Sequence, residues 1–296
     1  RGNNKSKENT TTVFIKRNSE GKIMAKLSEV KSIDSMIAFL KEKGKNHECY
    51  YHYTTWDSLK KIIQNKTFLL TRGNSLSIND QHEAHMKGSW EEWNRIYIGS
   101  FAFGSSENMA MWGLYGLPWR DAVRISISKE NMNRWINSIN RIKLFENGET
   151  IDYQSGFEAS LNDIIYVGGK RGSNNLRLTH YGKHITVSDT YPLYGIDTTP
   201  KMTGYIKNYA WQYENEVRLR IRLSNDTGYE KISVAVLDDI INSMIVTTGP
   251  YFKWKNDEIY YKLNSENRIV ESGFKNLVNY RELCDMCQYK AFKKIE

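Results

Sequence analysis

Cysteine, proline and long apolar runs are all scarce in this chain, and each scarcity closes off a class of protein. Three cysteines in 296 residues are too few for a disulfide framework. Cys284 and Cys287 form a lone CxxC, with Cys49 left over. A structural zinc would need two further ligands at suitable spacing, so these read as reduced thiols and no metal is expected. Four prolines and the absence of any Pro-rich or Gly/Ser-rich stretch leave no linker at which to divide the chain. No apolar run approaches the roughly 20 residues that span a bilayer. Residues 1–12 lack the apolar centre of a secretion signal. A cytoplasmic protein without a membrane partner is expected. There is also no Walker A loop, no G-x-G-x-x-G and no G-x-S-x-G. Kinase, Rossmann oxidoreductase and serine hydrolase readings thereby lose their main supports.

What is present is ample core material. Hydrophobic residues make up 40% of the chain, with 19 Tyr and 8 Trp, which argues against wholesale disorder. A formal charge of +8 attracts polyanions. Apolar residues at helical spacing predict a helix over 32–43 and another after Thr54 or Thr55, with Trp56, Leu59, Ile62 and Ile63 facing inward. A further helix is predicted after Ser128. Strands are predicted at 48–53, 68–71, 96–103, 122–127, 164–167, 216–223, 231–237, 243–248 and 258–263. Without regular βαβ alternation, this pattern suits an α+β fold. We read residues 1–30 as a polar extension and 31–296 as one domain.

Four constellations carry chemistry. In Tyr51-His52-Tyr53-Thr54, strand alternation puts His52 and Thr54 on one face and Tyr51 and Tyr53 on the other. A His beside a Thr suits ribose hydroxyls, although the same residues serve equally as a structural His beside a helix cap. In the second, Val217, Leu219, Ile221 and Leu223 alternate with Arg218, Arg220 and Arg222. That predicts an apolar side inward and an open face carrying Glu216 with the arginines. The positive charge there favours ionised Glu216, and Glu214 precedes it at i, i+2. The same pattern also describes a solvated strand of ordinary surface ion pairs. The third is the glycine-flanked run through Met111, Trp112 and Tyr115, which offers a ring for nicotinamide or, equally, a buried helix face. The fourth, Asn79-Asp80-Gln81-His82-Glu83-Ala84-His85, falls one residue short of the HExxH zinc helix.

The order of these pieces resembles the DarT-like and CmdT-like bacterial ADP-ribosyltransferases. The resemblance runs through Tyr-His-Tyr-Thr-Thr-Trp-Asp, then Asn79, Asp80 and Glu83, then Met111-Trp112-x-x-Tyr115, then Trp211-x-Tyr213-Glu214-x-Glu216-x-Arg218. It covers about residues 49 to 223. It implies split antiparallel β-sheets with surrounding helices, with NAD as co-substrate held between the sheets. His52, Tyr53, Thr54, Asn79 and Asp80 would contact NAD, and Tyr115 or Trp112 would stack on nicotinamide. Glu216 would stabilise the positive ribose as nicotinamide leaves, and Glu214 would orient or deprotonate the acceptor. Better-known members follow the motif His with Gly, where this chain has Tyr53.

The resemblance also implies a toxin or anti-phage effector modifying RNA or DNA, with a possible antitoxin and chaperone as partners. Arg218, Arg220 and Arg222 are then expected to meet phosphate, with RNA favoured over DNA. A protein side chain as acceptor, or an inactive nucleic-acid-binding module, are the alternatives.

Overall fold

The computed structural model describes residues 16–17, 23–24, 33–75, 90–104, 106–167, 177–181, 184–188 and 202–275. It is a mixed α/β protein whose strand pairs are mostly antiparallel. No described helix is long and apolar enough to cross a membrane. The chain divides into two compact units, and neither is continuous in sequence. The first comprises Arg1–His47, Thr71–Ile98 and Ser155–Gly228; the second comprises Glu48–Leu70, Gly99–Gln154 and Tyr229–Glu296.

In the first unit the strand Glu216–Leu223 pairs antiparallel with Phe157–Asp163, from Val217 opposite Asp163 to Leu223 opposite Phe157. Strand Ile165–Val167 runs parallel to Ile206–Asn208. Helix Ile33–Gly44 contributes Met36 and Leu40 to a core with Ile164, Ile165, Met202, Tyr205 and Ile206. His47 Nε2 lies 2.7 Å from the buried carboxylate of Asp163, which also receives Lys43 at 3.0 Å.

In the second unit the strand Cys49–Thr55 pairs along its whole length with Ala122–Ser128. Its other edge meets residues 102 and 103 of the Ile96–Phe103 strand. Ile245–Thr248 extends the ladder antiparallel beyond Ala122–Ser128, and Ile269–Glu271 joins it in parallel. Thr55 ends its strand and caps helix Trp56–Asn65 by accepting the Ser58 N–H at 3.3 Å; Thr54 stays in the ladder. Trp56, Leu59 and Ile62 are buried as the periodicity predicts, and Ile63 is half-buried. Ser128 caps helix Lys129–Ser138 in the same way.

One predicted feature changes, and two others were not anticipated. Residues 258–263 are not a strand: helix Glu258–Ser265 starts at the Asp257 cap, which accepts the Tyr260 N–H at 2.9 Å. An unpredicted hairpin joins Ile142–Glu146 to Glu149–Asp152. Its two turn residues, Asn147 and Gly148, both have positive φ, as a two-residue turn matching strand twist requires. Gly249, unassigned from sequence, approaches the next strand so closely that a Cβ would lie 2.8 Å from the Ala122 Cβ.

Candidate active site

Glu214 and Glu216 are brought together by the entrance to the Glu216–Leu223 strand. The short 3-10 helix Tyr209–Glu214, capped by Asn208, ends at Glu214, and Asn215 then takes a left-handed φ of 46°. Asparagine tolerates that conformation. The reversal lets both carboxylates converge on Lys207, whose Nζ donates to Glu214 Oε2 at 2.6 Å and Glu216 Oε2 at 3.1 Å. Arg218 completes the cluster, donating from Nε to Glu216 Oε1 at 2.6 Å and from Nη2 to Oε2 at 3.1 Å. Its Nη1 donates to the Gly204 carbonyl at 2.9 Å, a residue whose φ of +90° suits glycine. The Glu216 N–H donates to the Tyr166 hydroxyl at 2.8 Å. Burial, and then the charge of Glu216, push the Tyr166 phenol well above its usual range, so it stays protonated.

The open arginine face expected from sequence is not there. Glu216 is 3% exposed, Arg218 2% and Arg220 5%. Arg220 donates to the Thr203 carbonyl at 2.8 Å and lies 4.8 Å over the Tyr205 ring. Arg222 pairs with Glu92, Nε to Oε2 at 3.0 Å. The alternation correctly marks an apolar face, but the opposite face is covered too, and the arginines are committed to carbonyls, rings and carboxylates. Lys207 and Tyr166 were not singled out from sequence. A lysine within an otherwise apolar Tyr205-Ile206-Lys207 run was the available signal.

In the second unit the motif strand separates its residues as alternation predicts. His52 and Thr54 lie on one face. The His52 ring packs 4.8 Å from Phe68 and 5.5 Å from Phe101, and its Nδ1 lies 2.9 Å from the Ser100 carbonyl. A carbonyl only accepts, so Nδ1 carries the proton and Nε2 of the neutral ring is an acceptor. On the other face Tyr53 meets Trp112 edge-on at 4.8 Å. Tyr53, Trp112 and Met111 form one buried cluster against which Tyr115 packs. Helix Met109–Tyr115 is held there by Trp112 Nε1 donating to Glu107 at 3.0 Å and the Asn108 N–H donating to the Tyr53 hydroxyl at 3.2 Å. The structure thus joins Tyr53, Trp112 and Tyr115, and sets His52 and Thr54 on the opposite face of the same strand.

A residue not anticipated from sequence shares the Tyr53 face. Arg124, directly opposite Tyr53 on one side and Thr247 on the other, is buried and lies 4.4 Å over the Tyr51 ring. Among the described residues its Nε and Nη1 have no hydrogen-bond partner. A buried cation with unspent donors is suited to an anionic group. Asn79, Asp80, Glu83, His82, His85, Cys284 and Cys287 lie outside the described residues.

Burial lowers the His52 pKa from its ordinary value, with the Ser100 hydrogen bond opposing in part. The folded state therefore binds this proton less readily than the unfolded chain. The contribution to stability is full above the unfolded value of about 6.5 and is lost as pH falls through the lower folded value. Melting temperature should fall between pH 7 and pH 5 more steeply for the natural chain than for His52→Asn. Equal slopes would show that His52 does not titrate as its surroundings dictate.

Comparison of the chain with family models, with curated proteins and with solved structures yields no match.

Proposed function

We propose that the protein is an NAD-dependent ADP-ribosyltransferase whose acceptor is a base in single-stranded nucleic acid, RNA ahead of DNA. The observation that carries this reading is the buried Glu214–Lys207–Glu216–Arg218 cluster. Burying two carboxylates with two cations is costly, and apolar residues of similar volume would hold a strand at least as well. Buried charge kept at that cost is what a site serving chemistry, rather than strand packing, calls for. The order of the motifs, from His52 through Tyr115 to Glu216, supplies the rest of the support.

In the proposed reaction the bond between the ribose C1′ and the nicotinamide nitrogen breaks, and its electron pair leaves with neutral nicotinamide. Glu216 is a fixed negative charge for the positive C1′ centre, so it favours the transition state over the ground state. A lone pair on the acceptor base forms the new bond to C1′, and the acceptor's proton passes to Glu214 or to solvent. His52 lies on the opposite face of its strand from Tyr53, Trp112 and Arg124, packed against Phe68 and Phe101, so its part is to hold that strand in place through the Ser100 contact. Within the second unit, Tyr115 or Trp112 offers a ring of the kind that stacks on nicotinamide, and Arg124 a cation suited to a pyrophosphate.

A second reading, transfer to a protein side chain, is favoured by the burial of Arg218 and Arg220. With those arginines committed internally, they do not supply the phosphate contacts that a nucleic-acid acceptor requires. The two readings separate when the protein is incubated with labelled NAD and, in parallel, single-stranded RNA, single-stranded DNA and cell lysate. Label on RNA is expected. Label on lysate protein alone selects the second reading, and label on none of them removes both.

A further inference from the structure

We infer that the exposed aromatic surface formed by residues 117–121 and 251–261 holds the single-stranded nucleic acid, with bases stacked on Trp119 and Trp254. This rests on the nucleic-acid acceptor proposed above and locates the surface that binds it. Trp254 is 64% exposed, Leu117 57%, Tyr261 49% and Trp119 41%. Single exposed apolar residues are ordinary, but large rings gathered on one surface mark an interaction site. Trp119 stacks on Tyr251 at 4.9 Å and 26°. Trp254 lies 4.9 Å from Tyr260 and 6.3 Å from Tyr261. The two segments are tied by the Lys253 N–H donating to the Arg120 carbonyl at 3.0 Å, so Trp119 and Trp254 adjoin the same backbone bond.

The exposed rings stand on a rigid base. Phe252 and Tyr260 stack at 6.3 Å and 12°, and Trp56 packs against both at 5.7 and 5.6 Å. Trp56 Nε1 donates to Asp257 at 2.7 Å, the residue that also caps the following helix. Rings held in place lose little freedom when a base stacks on them.

Charge identifies the occupant. Arg120 and Lys253, both exposed, lie at the backbone bond that joins the two segments. Of the acids on these segments, Asp121 is paired with Lys255, Asp257 accepts the Trp56 N–H and caps the helix, and Glu258 stands in that helix's first turn. Rings interleaved with cations match a strand that presents phosphates and π-faces alternately. A protein interface would instead deplete lysine from its centre.

The test is fluorescence anisotropy of the full chain with single-stranded RNA and DNA of about 12 nucleotides, within the known range of site sizes, and without NAD. Trp254→Ala and Trp119→Ala should each weaken binding on the order of tenfold. Trp254→Phe should retain most of the affinity, and Trp254→Leu should behave like the alanine variant, because leucine keeps apolar area but not the π-face. Converting Arg120 and Lys253 together to Gln should reduce the slope of log affinity against log salt by roughly 1.4, from ~0.7 for each phosphate contact on a single strand. Trp254 is too exposed for its loss to unfold the chain. Unchanged binding by the alanine variants overturns the inference, as does full affinity in Trp254→Leu. So does a dimer of the natural chain that Trp254→Ala dissociates. If binding depends on Trp254 but no transfer occurs, the transferase reading fails and this surface stands. Intact transfer with binding indifferent to Trp254 gives the reverse.

Discussion

Replacing Glu216 with glutamine is expected to lower NAD-dependent transfer by about two to three orders of magnitude, the effect of removing one fixed charge-stabilising group from a reacting centre. Glutamine keeps the volume and an acceptor oxygen but removes the charge that opposes the positive C1′ centre. The loss should fall on kcat with little change in KM, since the charge matters only when nicotinamide departs. It should also appear in slow NAD hydrolysis, which uses the same bond cleavage without an acceptor. The buried cluster complicates a simple comparison, because the variant leaves two buried cations, Lys207 and Arg218, with Glu214 as the cluster's one remaining carboxylate, bonded to Lys207. Glu216→Asp separates the two effects: it preserves the charge balance and moves the carboxylate back by one methylene. A folded Glu216→Asp protein with a roughly 100-fold deficit, the effect of ångström-scale misplacement, would support a catalytic carboxylate. Full transfer by either folded variant would remove Glu216 from the reaction and leave it a structural partner of Arg218.

Much of the local structure is legible in the sequence, because it depends on neighbours a few residues away. Strands 96–103 and 216–223 match the structure end to end, and Ser128 and Thr55 cap helices where such residues are expected. The misassigned helix shows how local signals compete. Ile259, Tyr260 and Tyr261 favour a strand by propensity, yet Tyr260 and Leu263, three apart, are the buried residues, and Asp257 is a cap. The Asn147-Gly148 pair was an equally local hairpin signal that the flanking residues obscured. The site is less legible for a different reason. Alternation along 216–223 identifies one apolar face and leaves the other open by default. What closes it comes from Tyr166, Thr203, Gly204, Tyr205 and Lys207, placed there by pairings between distant segments. No periodicity within the strand encodes those pairings. Likewise, Arg124 reads as a polar residue in an alternating strand until the ladder sets it between Tyr53 and Thr247.

Loss of Arg218 is expected to destabilise the protein by about 3–5 kcal/mol, the cost of stranding a buried charge by removing its partner. Arg218 is among the largest fully buried side chains, and its guanidinium spends donors on both Glu216 oxygens and on the Gly204 carbonyl. In Arg218→Met the volume is nearly kept, but two buried carboxylates are left to share Lys207. The double variant Arg218→Met with Glu216→Gln restores the balance, one carboxylate against one lysine, so it should be more stable than Arg218→Met alone. That non-additivity is the signature of direct coupling. Arg222→Ala provides the contrast, since its pair with Glu92 is partly exposed and such pairs contribute ~0–1 kcal/mol. Urea unfolding of the natural chain, Arg218→Met, Glu216→Gln, the double variant and Arg222→Ala, compared at equal m-values, measures all of these differences. An Arg218→Met deficit no larger than that of Arg222→Ala, or strict additivity in the double variant, would show that the cluster is not an electrostatic unit. If the coupling is found and the double variant is stable but inactive, the natural chain retains a charge arrangement that its stability does not require, as expected where charge serves chemistry rather than folding.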